Sequence, residues 1–262
     1  MISLERRDGR PLRIGHRGAA ALARENTLAS FRAALEAGVD LIEFDVLRLS
    51  GGELVVAHSY DLWEVSHGAR RGTLRNMRVA DLRAVCPELP TLDEALRFFV
   101  EEAPATGVHV DLKSSRAATE VAGALDRHGL VERSLVSSFH LTALRRLARD
   151  RRLRSGISFP RDRLGFHRRR AGGPMVGVGL RGLRIVTPRL VDGLLSRSRA
   201  STLVLHHALV TPAAVARAHA RDVPVVAWTV DDPQDLARVE AAGVDAVVTN
   251  DPSMFVSTLM RT

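Results

Sequence analysis

Short apolar runs alternate with amphipathic stretches along nearly the whole chain. Runs at 12–16, 41–47, 54–58, 108–112, 135–139, 154–159, 202–207, 223–230 and 245–249 have the length and aliphatic content of strands. Between them, apolar residues recur at helical spacing over 27–37, 91–102, 117–128, 141–150, 189–198, 211–221 and 233–241. Gly38 stops the first of these helices, and Thr91 or Asp93 caps the second. Thr211-Pro212 and Asp232-Pro233 open the last two. Strand and helix in alternation predict a parallel sheet, and about eight such units favour a closed (β/α)8 TIM barrel. The run at 54–58 follows 41–47 too closely for a crossover and reads as a hairpin-like element. The stretch 161–187, with Gly172-Gly173-Pro174 and Gly177, breaks the rhythm and reads as a long loop placed to cover the barrel mouth. No linker, repeat or low-complexity block divides the chain, so 1–262 reads as a single domain with its core at about 12–256.

Composition narrows the class. Hydrophobic residues make up 45%, enough for a sizeable core. The one cysteine, Cys86, excludes an intrachain disulfide and reads as a buried apolar residue. No apolar leader opens the chain and no window resembles a membrane span, so a cytoplasmic protein is expected. The formal charge is +8, and sixteen arginines between Arg145 and Arg199 face only Asp150, Asp162 and Asp192. Such a segment can steer an anionic substrate, lipid headgroup or nucleic acid, or can simply be solvated helix surface. Scarce aromatics favour the second reading. No stable nucleic-acid partner is expected, and contact with an anionic membrane is expected to be transient at most.

Of 38 basic residues, only Lys113 is lysine. Lysine is a slim point charge and arginine a planar fork, so a tight anion site would resist replacement by arginine. Asp111 lies two residues earlier and shares a strand face with it. Glu43 and Asp45 are likewise two apart in an apolar strand, unfavourable unless something neutralises them. A hard divalent cation with oxygen ligands would, with Asp111 as a third ligand. His16 and His58 end two further strands. Two strand-end histidines, paired carboxylates and an Asp-x-Lys run suit metal-assisted phosphoryl chemistry, and all fall where a barrel carries its active site.

The motifs His16-Arg17-Gly18, Glu25-Asn26-Thr27, Glu43-x-Asp45, Val55-Val56-Ala57-His58 and Leu89-Pro90-Thr91-Leu92 resemble the glycerophosphodiester phosphodiesterase family. So do Ser137-Ser138-Phe139, Ala227-Trp228-Thr229 and the run from Gly243 to Pro252. The resemblance implies a barrel enzyme that hydrolyses glycerophosphodiesters to an alcohol and glycerol 3-phosphate. His16 and His58 would be its acid–base pair. Glu43, Asp45 and Asp111 would hold one divalent ion, Mg2+, Ca2+ or Mn2+. Arg17 and Lys113 would neutralise phosphate oxygens, Trp228 would pack against the substrate, and Glu25, Asn26 and Phe139 would support the site. The attacking oxygen is either water or a neighbouring substrate hydroxyl. Three departures stand out. The family more usually carries glutamate at the Asp111 position, and aspartate after the second histidine, where this chain has Ser59. Asn250 also replaces a common aspartate, and is expected to matter less. An Asp-Leu-Lys run also resembles sphingomyelinase D enzymes, so a phospholipase D-type activity on lysophospholipids or sphingolipids stays open. An inactive barrel that binds anions or nucleic acid is the alternative of another class. Of the other histidines, one of His206 and His207 is expected at the mouth. His67, His109, His128, His140, His167 and His219 are expected at the surface or in packing.

Overall fold

The computed structural model describes residues 1–161 and 174–255, with backbone alone over 174–178. Its elements run β1 (Leu12–Gly15), α1 (Leu28–Glu36), β2 (Leu41–Arg48), β3 (Leu54–Val56), α2 (Leu62–Val65), α3 (Val79–Val85), α4 (Leu92–Glu101), β4 (Gly107–Leu112) and α5 (Ala118–Arg127). They continue as β5 (Ser134–Ser138), α6 (Leu141–Leu147), β6 (Arg154–Phe159), α7 (Pro174–Ser198), β7 (Thr202–His206), α8 (Pro212–His219), β8 (Val225–Trp228), α9 (Pro233–Ala241) and β9 (Ala246–Thr249). Eight strands run parallel in the order β1-β9-β8-β7-β6-β5-β4-β2, and β1 pairs back onto β2 to close the (β/α)8 barrel. β3 is antiparallel to the far end of β2, with Val46 opposite Val56. This is the hairpin element expected from the sequence.

Strand alternation decides what each face carries. Ile42, Phe44 and Val46 of β2 point outward into the core between barrel and helices. There Phe44 meets Phe31 of α1 and Phe99 of α4, with ring centroids 5.4 and 5.8 Å away. The opposite face carries Leu41, then Glu43, then Asp45. Leu41 joins Leu4, Leu12, Ile14, Leu135, Val204, Val226, Ala246 and Val248 in an apolar plug. Polarity then rises toward the C-terminal strand ends, which is where a barrel site is built.

Local signals start the helices where expected. Thr91 and Glu94 form a reciprocal capping box on α4. Thr211 and Asp232 cap α8 and α9 ahead of their prolines. Arg133 fixes the turn that leads into β4, donating to the carbonyls of Phe99, Ala103, Pro104 and Thr106. α7 differs from expectation. The helix reaches back to Pro174, through much of the stretch read as loop, while 162–173 lies outside the described residues. Gly177, Gly179, Gly182 and Pro188 are each unfavourable inside a helix, yet all lie within it. Its later turns bury Thr187, Val191, Leu195 and Ser198 as one stripe, while Arg181, Gly182, Ile185 and Val186 before them are exposed. Two short helices, α2 and α3, were too brief to show a period. With β3 they enclose a satellite cluster of Leu47, Leu62, Leu74, Leu82 and the buried Cys86. No helix among the described residues is long and apolar enough to cross a membrane.

Candidate active site

β1 delivers His16 one residue past its end, where the His16 N–H bonds the Thr249 carbonyl at 2.7 Å. The chain then reverses through Arg17 (φ 52°) and Gly18 (φ 88°). A Cβ on Gly18 would lie 2.2 Å from Ser30 Oγ, so the turn needs glycine. The reversal points Arg17 at the carboxylates of β2. Its backbone N–H donates to Glu43 Oε2 at 2.9 Å, and its Nε lies 3.0 Å from Asp45 Oδ2. Glu25 accepts from Arg17 Nη1 at 2.7 Å. Asn26 brackets Asp45, donating to Oδ2 at 3.0 Å and accepting the Asp45 N–H at 3.1 Å. Glu25 and Asn26 therefore reach the site through Arg17 and Asp45.

β4 runs beside β2 with Asp111 opposite Asp45. Lys113 Nζ sits between them, 2.7 Å from Asp45 Oδ1 and 2.6 Å from Asp111 Oδ2. Oxygens of Glu43, Asp45 and Asp111 all lie within 4.8 Å of one another, and all three residues are buried. Burial alone would depress the Lys113 pKa, but Asp111, Asp45 and Glu43 outweigh it and the pKa rises. Burial opposes charge on Asp45 too, yet Lys113 and Arg17 hold its pKa well below the usual carboxylate range. Glu43 goes the other way: burial, then Asp45 and Asp111, push it well above that range. Three carboxylates share two cationic side chains, and Glu43 is the one left short. The donor set thus fits a hard divalent cation.

His16 completes the same wall. Its Nε2 is 3.9 Å from Glu43 Oε2, and its Nδ1 is 2.6 Å from Asn250 Oδ1. Asn250 Nδ2 donates to Asp231 Oδ2 at 2.7 Å, so the amide oxygen is the atom turned toward His16. His16 must then donate through Nδ1–H, leaving the Nε2 lone pair toward the carboxylates. Burial, aided by Arg17, lowers the His16 pKa to about 4, so the ring is neutral at neutral pH. Burial lowers His58 as well, opposed chiefly by Asp45. His58 Nδ1 lies 3.8 Å from Glu64 Oε1 of α2.

A cavity of about 780 Å³ opens over this cluster. His16, Arg17, Glu43, Asp45, His58, Asp111 and Lys113 line it with Phe139, His206 and Trp228. Trp228 meets Phe139 edge-on at 5.8 Å and donates from Nε1 to the Val204 carbonyl at 3.2 Å. Every residue expected at the mouth is therefore in one constellation, with Glu25 and Asn26 just behind it. Sequence reasoning undervalued four residues. Asn250 is the direct partner of His16 and orients it. His109 and Ser137 form a buried pair under Asp111. His140, half-buried, lines the cavity. For His109 the signal was present: it precedes Asp111 by two on one strand, hence on the same inward face. Of the other histidines, His128 and His219 pair with Asp93 and Asp245, and His167 lies outside the described residues. Within the arginine-rich segment, Arg145 donates to the Arg197 carbonyl and Arg152 pairs with Asp126 and Asp150.

Residues 16–254 match the model of the glycerophosphoryl diester phosphodiesterase family. The glycerophosphodiester phosphodiesterase GDPD4 of Arabidopsis thaliana is 30% identical over 255 residues, 94% of this chain and 72% of the relative. A glycerophosphodiester phosphodiesterase of Caldanaerobacter subterraneus subsp. tengcongensis is 25% identical over 264 residues, 95% of this chain and 97% of the relative. Among solved structures, that of a glycerophosphodiester phosphodiesterase from Thermotoga maritima shares the fold, with TM-score 0.73, 22% identity and coverage of 95% and 98%. So does an Oleispira antarctica phosphodiesterase in complex with the product sn-glycerol-3-phosphate, with TM-score 0.72, 22% identity and coverage of 95% and 97%.

Proposed function

The chain belongs to the glycerophosphoryl diester phosphodiesterase family, and we propose that residues 12–256 act as one catalytic barrel hydrolysing glycerophosphodiesters to an alcohol and glycerol 3-phosphate. The observation that carries this reading is the buried triad of Glu43, Asp45 and Asp111, flanked by His16 and His58 at the floor of an open cavity. Glu43, Asp45 and Asp111 would hold one divalent ion, Mg2+, Ca2+ or Mn2+, leaving coordination sites for substrate oxygen and water. Such an ion supplies polarisation of the phosphoryl group.

This chain's own groups do the rest. His16, neutral and with Nε2 bare, accepts the proton of the attacking oxygen, and Asn250 keeps that tautomer. His58 protonates the leaving alcohol. Burial lowers the His58 pKa and Asp45 opposes it, and an anionic phosphate at the site would oppose it further. Arg17 and Lys113 offset charge on the nonbridging oxygens as it shifts. Trp228 and Phe139 form the apolar wall for the part of the substrate beyond the phosphate.

The test is a product assay over a panel of soluble glycerophosphodiesters and micellar lysophospholipids. Saturable release of glycerol 3-phosphate from a soluble diester is expected. Turnover of micellar lipid alone would favour the phospholipase D-type reading, and no turnover of either would favour an inactive binding barrel.

Lys113 gives a sharper test of how the phosphate is held. Its ammonium fills a slot between two carboxylates at 2.6 and 2.7 Å, which a planar guanidinium cannot enter without moving them. Lys113→Arg is expected to lose nearly as much kcat/KM as Lys113→Met, on the order of 10²-fold. If the arginine variant matches the parent, shape has no part in the role of this lysine.

A further inference from the structure

Asp111 is gripped from below by two residues that the chemistry above does not use. Ser137 pairs with Asp111 across β4 and β5, and its Oγ donates to Asp111 Oδ1 at 2.8 Å. His109 Nε2 lies 2.9 Å from the same Oγ. His109 and Ser137 are only 2% and 1% exposed. The single Ser137 hydroxyl proton is the one donated to Asp111 Oδ1. Ser137 must then accept from His109, which fixes that ring with its proton on Nε2. Its Nδ1 lone pair is left with no hydrogen-bond partner among the described residues. A buried acceptor without a donor is destabilising, and a phenylalanine would fill similar space without that cost. His109 therefore does more than pack.

We infer that His109 and Ser137 are positioning residues, a two-step donor relay that anchors Asp111 Oδ1 and so turns Oδ2 toward the cation centre. The inference rests on the cation reading proposed above. A carboxylate free to rotate about its last bond would present either oxygen. Asp111 presents one, because Oδ1 is committed to Ser137 and Oδ2 faces Lys113 Nζ at 2.6 Å on the side of Asp45. The relay also gives the site a rigid floor, since Ser137 and His109 sit on adjacent paired strands.

Manganese titration calorimetry of the full chain tests the relay with Ser137→Ala, His109→Phe and the double variant. Ser137→Ala should weaken manganese affinity by roughly 10–100-fold, as loss of a group that orients a metal ligand commonly does. His109→Phe should weaken it less, and should add nothing in the Ser137→Ala background, where it has no hydroxyl left to act through. Unfolding midpoints measured in chelator show whether each variant is folded. Nitrogen-15 NMR of the wild-type ring needs no variant and should find the proton on Nε2. Unchanged affinity in Ser137→Ala, additive losses in the double variant, or a proton on Nδ1 would each overturn the relay. Failure of the wild-type chain to bind any divalent ion would overturn the cation reading instead, and the tautomer measurement would still decide whether the donor chain exists.

Discussion

Replacing His16 or His58 with alanine is expected to lower kcat by ~10²-fold or more, with the fold intact. His16 is the stronger case. Its proton-accepting nitrogen is assigned by the Asn250 and Asp231 contacts, and burial keeps the ring unprotonated at neutral pH. Removing it takes away the proposed base and leaves Asn250 Oδ1 without its donor. Asn250→Leu should cost less, because the ring would remain but could turn. His58 stands at the cavity wall with its side chain 36% exposed, so its loss should disturb packing little. Steady-state kinetics on a soluble diester, beside thermal unfolding, separates the outcomes. A variant that turns over like the parent removes that histidine from the mechanism, and one that merely unfolds makes its role structural.

Chelation is expected to abolish hydrolysis, and added Mg2+, Ca2+ or Mn2+ to restore it. The electrostatic reason is the charge deficit around Glu43, the carboxylate of the triad that neither Arg17 nor Lys113 neutralises by a side-chain contact. An ion that binds the folded chain alone should also raise its stability, by about 2.7 kcal/mol at a hundred times its Kd. Thermal scans with and without the ion read this independently of substrate. Asp45→Asn should lose both responses. Full turnover in a sample shown by elemental analysis to be metal-free would end the cation reading.

How far the sequence could be read depended on the range of each signal. Strand alternation is local, and it located β2, β4 and β5 within a residue or two and placed Glu43, Asp45 and Asp111 on inward faces. Caps are local as well, and Thr91, Thr211 and Asp232 stand where expected. The family resemblance supplied what spacing alone could not, the grouping of strand ends far apart in the chain. What escaped depended on tertiary contact. Asn250 acquires its importance only by meeting His16 across the β1–β9 seam. For His109 the inward face could be read from its spacing to Asp111, but its partner Ser137, 28 residues on, could not. α7 begins earlier than expected because Gly177, Gly179, Gly182 and Pro188 are each unfavourable inside a helix, so local propensity hid its first turns.

That seam also bears on how the enzyme is made. His16 and Asn250 are 234 residues apart, and β1 is flanked in the finished barrel by β2 and β9. At the usual 5–20 residues per second, a ribosome needs roughly 10–50 s to go from one to the other. For that interval a nascent chain carries His16, the carboxylates and His58 with one edge of β1 unpaired and no partner to set the His16 tautomer. Hydrolytic activity should therefore switch on late and all at once, as β9 is released, and release stopped short of β9 should give inert protein however long the fragment.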